Sequence, residues 1–107
     1  CRTDVAVPTR GGAHTNRFRL AGLDPAPVAP EDRVTEETLW GNYGYFLRAV
    51  LPAAEKAGVK LGLHPDDPPL SPLRGVGRIF SSVAGFERAM ALSDSPSHGV
   101  TFCQANF

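Results

Sequence analysis

Residues 59–69 read VKLGLHPDDPP, and the fold prediction is based on this stretch. Residues 59–63 form a short, mostly apolar run that ends at His64 and a proline-rich turn. A second strand-like run, residues 100–102, ends at Cys103, thirty-nine residues after His64. Because α/β folds build their sites at the carboxyl ends of parallel strands, we expect the imidazole and the thiol to lie at the same edge of a sheet.

Two helices are predicted around these strands. Residues 36–57 follow the N-cap Thr35, end before Gly58 and contain Pro52, for which we expect a kink rather than a stop. The apolar residues expected on the buried face of this helix are Leu39, Tyr43, Phe46, Leu47, Val50, Leu51 and Ala54. A second helix should run from about Ser81 or Ser82 to about Leu92. Its expected buried residues are Val83, Phe86, Ala89 and Met90.

The first third of the chain is predicted to be a loop-rich connector. Residues 1–16 contain Pro8 and adjacent glycines and are expected to form a loop, and residues 17–20 alternate in polarity like a short strand. Residues 21–34 contain three prolines, which favour a further connection. The regular elements are therefore expected within residues 35–107, in the order helix, strand, helix, strand.

This order predicts the α/β fold class with parallel strands and a right-handed crossover. One such unit cannot bury both faces of its sheet, and a (β/α)8 TIM barrel uses about thirty residues per unit. We therefore expect residues 1–107 to be a partial TIM-barrel domain of about two to three βα units, truncated at both ends.

Composition excludes several classes of function. Eleven basic and eleven acidic residues balance, without a basic stripe, so nucleic acid is not an expected partner. No apolar run has the length of a membrane span, and no signal peptide is visible at the start. Two cysteines are too few for a disulfide scaffold, which favours a reducing compartment such as the cytoplasm.

His64 and Cys103 are the candidate metal ligands, because imidazole and thiolate are typical first-row metal donors. The alternatives are a histidine bound to a backbone carbonyl and a cysteine that packs as a small apolar residue. Asp66 and Asp67 could orient the imidazole from a second shell, or serve as helix caps or solvated charges. Two ligands are fewer than the three that a catalytic metal requires. The other histidines, His14 and His98, are expected to be solvated.

Several further charged residues could bind substrate. Arg2 and Asp4 lie at the start, and Arg74 and Arg78 lie in the long connector after His64. Arginine at a barrel rim can bind carboxylate or phosphate through its planar guanidinium, whereas the alternative for each residue is a surface ion pair, which we favour for Arg74. The sequence contains no phosphate-binding glycine motif, zinc finger or serine nucleophile elbow.

Seven short segments resemble the mannonate dehydratase family. They are RTD at residues 2–4, the LWGN, YFL and AEKAGV segments within residues 39–59, HPDDPP at residues 64–69, GVGRI at residues 75–79, and SPSHGVTFC at residues 95–103. The string HPDDPP, with a cysteine about forty residues further on, is the most specific of these features.

The resemblance implies a xylose isomerase-like TIM barrel that uses Mn²⁺ or Fe²⁺ to convert D-mannonate to 2-dehydro-3-deoxy-D-gluconate and water, a step of hexuronate (glucuronate) catabolism. His64 and Cys103 match two metal ligands of the family, and the remaining His and Asp ligands should follow Phe107. The implied partner is a small sugar acid, and the full-length protein could be a homo-oligomer. The segment alone should be inactive and identifies no general acid or base.

Two departures from the family pattern leave alternatives open. Gln104, Ala105 and Asn106 follow the cysteine where T-G-S is frequent, and His98 stands where asparagine is common. Both segments border the expected metal site. A sugar isomerase or epimerase on the same barrel, or an inactive homologue in which His64 and Cys103 only pack, therefore remain alternatives.

Overall fold

The computed structural model describes residues 3–24, 26 and 29–106. Its strands are β1 (Asp4–Pro8), β2 (His14–Arg17), β3 (Leu61–Leu63) and β4 (His98–Val100), and its α-helices are α1 (Glu36–Ala57) and α2 (Val83–Met90). Short 3-10 turns lie at Arg10–Gly12, Leu20–Gly22, Pro30–Asp32 and Gln104–Asn106. The fold is mixed α/β, and the predicted order of helix, strand, helix and strand after residue 35 is confirmed.

Helix α1 has the bounds that its sequence predicts. At its start the Thr35 hydroxyl accepts a hydrogen bond from the Thr38 amide at 3.1 Å, which satisfies one free donor of the first turn. At its end Gly58 adopts the left-handed conformation (φ 67°), which glycine reaches without the steric penalty of a side chain. The helix continues through Pro52 rather than stopping there.

The buried face of α1 differs from the predicted stripe. Its buried residues are Trp40, Gly44, Leu47, Leu51 and Ala54. Phe46, predicted to be buried, is 46% exposed, because it lies about 120° around the helix from Trp40. The face turns toward Trp40 because this ring packs with Ile79 and Ala89 in the core. Leu47, Leu51 and Ala54 are buried as predicted, whereas the centre of the buried face is rotated toward Trp40, which the predicted stripe omits.

Helix α2 buries Phe86 and Ala89, as predicted, with Met90 partly buried. Ser82 caps this helix by accepting a hydrogen bond from the Gly85 amide at 3.2 Å. The prediction was wrong for Val83, whose side chain is 64% exposed. Val83 lies about 120° around the helix axis from Ala89, which packs against Trp40 of α1, so Val83 faces away from this contact.

Strands β3 and β4 pair in parallel, with Leu61 opposite His98 and Leu63 opposite Val100. The predicted parallel pair connected through α2 is therefore confirmed, although β4 begins at His98 and ends at Val100 instead of covering residues 100–102. The pairing ends early because Pro65, just beyond β3, has no amide hydrogen with which to continue the ladder. The Thr101 amide makes the last bond of this pair, to the Leu63 carbonyl at 2.9 Å.

The N-terminal segment is a β-hairpin and not the predicted loop. Strands β1 and β2 pair antiparallel, and the Thr9 amide donates to the Ala13 carbonyl at 2.9 Å across the turn. Gly11 and Gly12 both have positive φ, of 71° and 74°, which suits a tight hairpin connection. Adjacent glycines interrupt regular structure in a sequence, but they are equally typical of hairpin turns, which is their role here. The short strand expected at residues 17–20 is wrong beyond Arg17.

Apolar side chains in and next to the β3–β4 pair are exposed to solvent in the part of the chain that the structure describes. Val100 of β4 and Gly62 of β3 are exposed, as are Val59 and Phe102 next to the strands, so the described residues do not cover both faces of the β3–β4 pair. No helix among residues 3–24, 26 and 29–106 combines the length and the apolar character needed to cross a membrane.

Candidate functional site

His64 and Cys103 lie beyond the same edge of the parallel pair. His64 directly follows β3, and Cys103 lies three residues after the end of β4. Because Leu63 pairs with Val100, the register places both residues at the carboxyl ends of their strands. The topology on which the sequence prediction depended is therefore present.

The His64 ring is held in one tautomer. Its Nδ1 lies 2.7 Å from the carbonyl oxygen of Pro65, and a carbonyl oxygen can only accept a hydrogen bond. Nδ1 therefore carries the hydrogen and donates it, which leaves the lone pair on Nε2 available. Metal-binding histidines typically have this arrangement, in which the second ring nitrogen donates to a carbonyl or a carboxylate. The partner of Nδ1 is the Pro65 carbonyl rather than Asp66 or Asp67.

Cys103 is a free, half-buried thiol at the start of a short turn. The amide of Asn106 donates to the Cys103 carbonyl at 3.1 Å and closes this turn. The side-chain amide of Asn106 then reaches the backbone oxygen of Asp66 at 3.5 Å. The segment that carries Cys103 is therefore in contact with the segment that carries His64.

Asp66 and Arg78 form a half-buried ion pair in the connection that follows His64. Asp66 Oδ1 accepts from Arg78 Nε at 2.8 Å, and the two side chains are 19% and 20% exposed. Asp66 Oδ2 accepts from the Phe80 amide, also at 2.8 Å. Arg78 Nη2 donates to the Asp67 carbonyl at 3.4 Å, whereas Asp67 itself is exposed. Both carboxylate oxygens of Asp66 are therefore used within the protein.

Asp4 belongs to the hairpin, where Arg19 binds both of its carboxylate oxygens at 2.8 and 2.9 Å. Arg17 adds a longer contact of 3.5 Å. The hydrogen bond from Arg19 is the main reason why the pKa of Asp4 is lowered from its usual value. These contacts give Asp4 a structural role in the hairpin. The candidate Arg2 lies outside the described residues. Arg74 is exposed, but the surface ion pair expected for it is not found among the described residues.

Replacing Asp4 with Asn should weaken the hairpin at neutral pH but not in acid. Because folding lowers the pKa of Asp4, its contribution is fully present above the unfolded pKa and is lost as the pH falls through the folded pKa. Amide hydrogen exchange of residues 3–19, compared with the parent at each pH, measures the difference. Asp94→Asn is the matched control, since Asp94 is exposed. Equal protection of parent and variant at neutral pH would contradict the prediction.

His98 is not solvated, contrary to the prediction. Its Nε2 lies 2.8 Å from the Tyr43 hydroxyl, and its ring packs against the Tyr43 ring. Burial raises the pKa of Tyr43, so its hydroxyl remains a hydrogen-bond donor. Because His98 begins β4, it lies at the opposite end of this strand from Cys103, and it joins β4 to α1. His14 is exposed, as expected.

The described residues do not form a complete metal site. Within residues 3–24, 26 and 29–106, no group of three or more His, Cys, Asp or Glu side chains could hold a metal ion. His64 and Cys103 are thus two donors of compatible chemistry, and a catalytic metal requires at least one more.

Comparison with known proteins identifies the family. The family model of D-mannonate dehydratase (UxuA) matches residues 4–107. The chain belongs to the mannonate dehydratase family. The prediction from the sequence motifs is thereby confirmed.

Individual mannonate dehydratases agree with this assignment. The chain is 47% identical over 88 residues to the mannonate dehydratase of Shouchella clausii, which covers 82% of this chain and 24% of that protein. It is 45% identical over 130 aligned residues to that of Streptococcus equi subsp. zooepidemicus, with 99% of this chain and 35% of that protein covered.

A solved mannonate dehydratase structure has the same local fold. The crystal structure of the enzyme from Streptococcus suis serotype 2 matches with a TM-score of 0.80 and 37% identity, over 99% of this chain and 32% of that one. The chain thus spans about a quarter to a third of these mannonate dehydratases.

Proposed function

We propose that the intact protein is a mannonate dehydratase, a hydro-lyase that converts D-mannonate to 2-dehydro-3-deoxy-D-gluconate and water in hexuronate catabolism. Family membership over residues 4–107 supports this reaction. The geometric observation that carries the proposal is the contact between the His64 and Cys103 segments at one edge of a parallel strand pair. We further propose that residues 1–107 form part of a (β/α)8 TIM barrel, which the parallel βαβ unit supports.

His64 and Cys103 are proposed to hold a divalent metal ion, Mn²⁺ or Fe²⁺. The donor set fits such an ion: the Pro65 carbonyl leaves Nε2 of His64 free to bind, and the Cys103 thiol is not in a disulfide. Of the two ions, the thiolate favours iron, since manganese prefers oxygen donors. When bound, the ion would polarise substrate oxygens and stabilise the negative charge that develops next to the carboxylate.

The chain's own residues supply the donors and their orientation. Dehydration removes the proton from the carbon next to the carboxylate and expels hydroxide from the neighbouring carbon. The Pro65 carbonyl fixes the His64 ring, and the short turn at Gln104–Asn106 places the Cys103 segment against the same edge. We propose that the remaining ligands, with the general acid and base, come from other segments of the protein, because two donors are too few. A cytoplasmic location is part of this proposal, since a reducing compartment keeps the thiol available.

The test is product analysis with the intact protein. The protein is loaded anaerobically with Fe²⁺ or Mn²⁺, incubated with D-mannonate and with ketose sugars, and the products are identified by NMR. We expect formation of the 3-deoxy-2-keto acid from D-mannonate, with no product from ketoses. Conversion of a ketose without loss of water would establish an isomerase or epimerase instead, and a protein that retains no ion and gives no product would overturn the proposal.

A further inference from the structure

We propose that Asp66, Arg78 and Asn106 act as positioning residues that fix the distance between the two metal donors, His64 and Cys103. We call these three residues the Asp66 clamp. The inference rests on the proposed function, because it assumes that the two donors share one ion. These residues would touch neither the ion nor the substrate. Their role would be to hold His64 and Cys103 in the relative position that metal binding requires.

The first step is the anchoring of Asp66. Its two carboxylate oxygens accept from Arg78 Nε and from the Phe80 amide, both at 2.8 Å. Both donors belong to the segment immediately before α2. Because the two charged side chains are each about one-fifth exposed, water screens the pair less than it screens a surface ion pair. The turn after β3 is thus attached to the segment that leads into α2.

The second step is the transfer of this anchoring to His64. Asp66 is separated from His64 only by Pro65, which is buried and whose ring fixes its own φ angle. The Pro65 carbonyl also accepts the hydrogen bond from His64 Nδ1. With Asp66 held on one side and the imidazole bonded to Pro65 on the other, the direction of Nε2 depends on where Asp66 is held.

The third step is the connection to Cys103. Asn106 contacts the turn after each strand. Its backbone amide donates to the Cys103 carbonyl at 3.1 Å, and its side-chain amide donates to the backbone carbonyl oxygen of Asp66 at 3.5 Å. Asn106 lies within the segment where this chain departs from the T-G-S of the family pattern. Its side-chain amide connects the turn after β3 with the turn after β4, beyond the last strand-pair bond from Thr101 to Leu63. The departure therefore coincides with a contact between the two donor segments.

The proposal predicts a loss of metal affinity without a loss of fold. Residues that orient metal ligands typically change affinity by 10- to 100-fold when removed, and we expect Asp66→Asn to weaken Co²⁺ binding by about that factor. Asn106→Ala should weaken it less, since that contact is longer. Arg78→Lys, which retains the charge, should recover part of the affinity lost in Arg78→Met.

The experiment is a Co²⁺ titration of the metal-free intact protein, followed by the thiolate-to-cobalt charge-transfer absorption that reports Cys103 as a ligand. Glu37→Gln is the matched control, because Glu37 also binds an arginine, Arg88, through both carboxylate oxygens but lies on α1. The thermal midpoint of each metal-free variant is measured in parallel. Weaker Co²⁺ binding by Asp66→Asn at an unchanged midpoint, with normal binding by Glu37→Gln, is the expected result.

Two other outcomes separate the clamp from the proposed function. If the parent binds Co²⁺ with the thiolate band and both Asp66→Asn and Asn106→Ala bind it equally well, the clamp is overturned and the metal site stands. If the parent shows no thiolate band, the proposed metal site itself is overturned. Should Asp66→Asn fail to fold, Asn106→Ala decides: parental affinity overturns the clamp, and weakened affinity at the parental midpoint supports it.

Discussion

Replacing either His64 or Cys103 with alanine is expected to remove bound metal and dehydratase activity together. Each substitution deletes one of the few protein donors that a catalytic ion has, whereas changes in residues that only orient such donors already cost 10- to 100-fold. We therefore expect each variant to lose more than about 100-fold in metal affinity and in turnover of D-mannonate.

Metal content after gel filtration and the rate of keto-acid formation measure the two effects. His14→Ala is the matched control, because His14 is exposed on the hairpin. Loss of bound metal and of activity in the same variant would show that the residue binds the catalytic ion. A His64 or Cys103 variant that retains the ion at parental affinity would show that the residue only packs at the sheet edge.

Replacing Trp40 with alanine is expected to destabilise the protein by about 3–5 kcal/mol, the range for a large buried aromatic residue. Trp40 is buried on α1 and makes edge-to-face contacts with Phe80 and Tyr43 at centroid distances of 5.9 and 6.4 Å. The Arg88 guanidinium lies 4.4 Å from the centre of its ring. The substitution therefore removes the side chain at which α1, α2 and the connector before α2 meet.

Chemical denaturation of the intact protein measures the change in the free energy of unfolding. Tyr45→Ala serves as the control, since Tyr45 lies on the same helix but is 71% exposed, and surface changes usually stay within about 0.5 kcal/mol. Equal destabilisation by both substitutions would mean that α1 does not bury the face described here.

The helices were the most predictable part of this fold, and the reason is local. Thr35, Gly58 and Ser82 act on backbone groups within one turn of themselves, so the signals that begin or end a helix can be read without knowledge of its neighbours. The rotation of α1 about its own axis is different. It depends on Ile79 and Ala89, which are distant in sequence, and the apolar spacing alone favoured a neighbouring face.

The site was predictable in its topology but not in its hydrogen bonds. Parallel strands bring their carboxyl ends together whatever the side chains are, so that the relation of His64 to Cys103 could be anticipated. The partner of the His64 ring could not, because any carbonyl or carboxylate near the turn would satisfy it. His98 was missed for the same reason, since its partner Tyr43 is far away in the sequence.

The two connections that flank β3 differ greatly in length. Only residues 58–60 separate α1 from β3, whereas residues 64–82 separate β3 from α2. The short link has few residues with which to absorb an insertion, and an inserted residue that shifts β3 along β4 by one position would exchange the two faces of β3, because successive strand residues point in opposite directions. Insertions and deletions should therefore be tolerated better within the long connection, away from Asp66 and Arg78, than in the short one. The long connection can therefore change in length and sequence during evolution while the pairing of β3 with β4 stays the same.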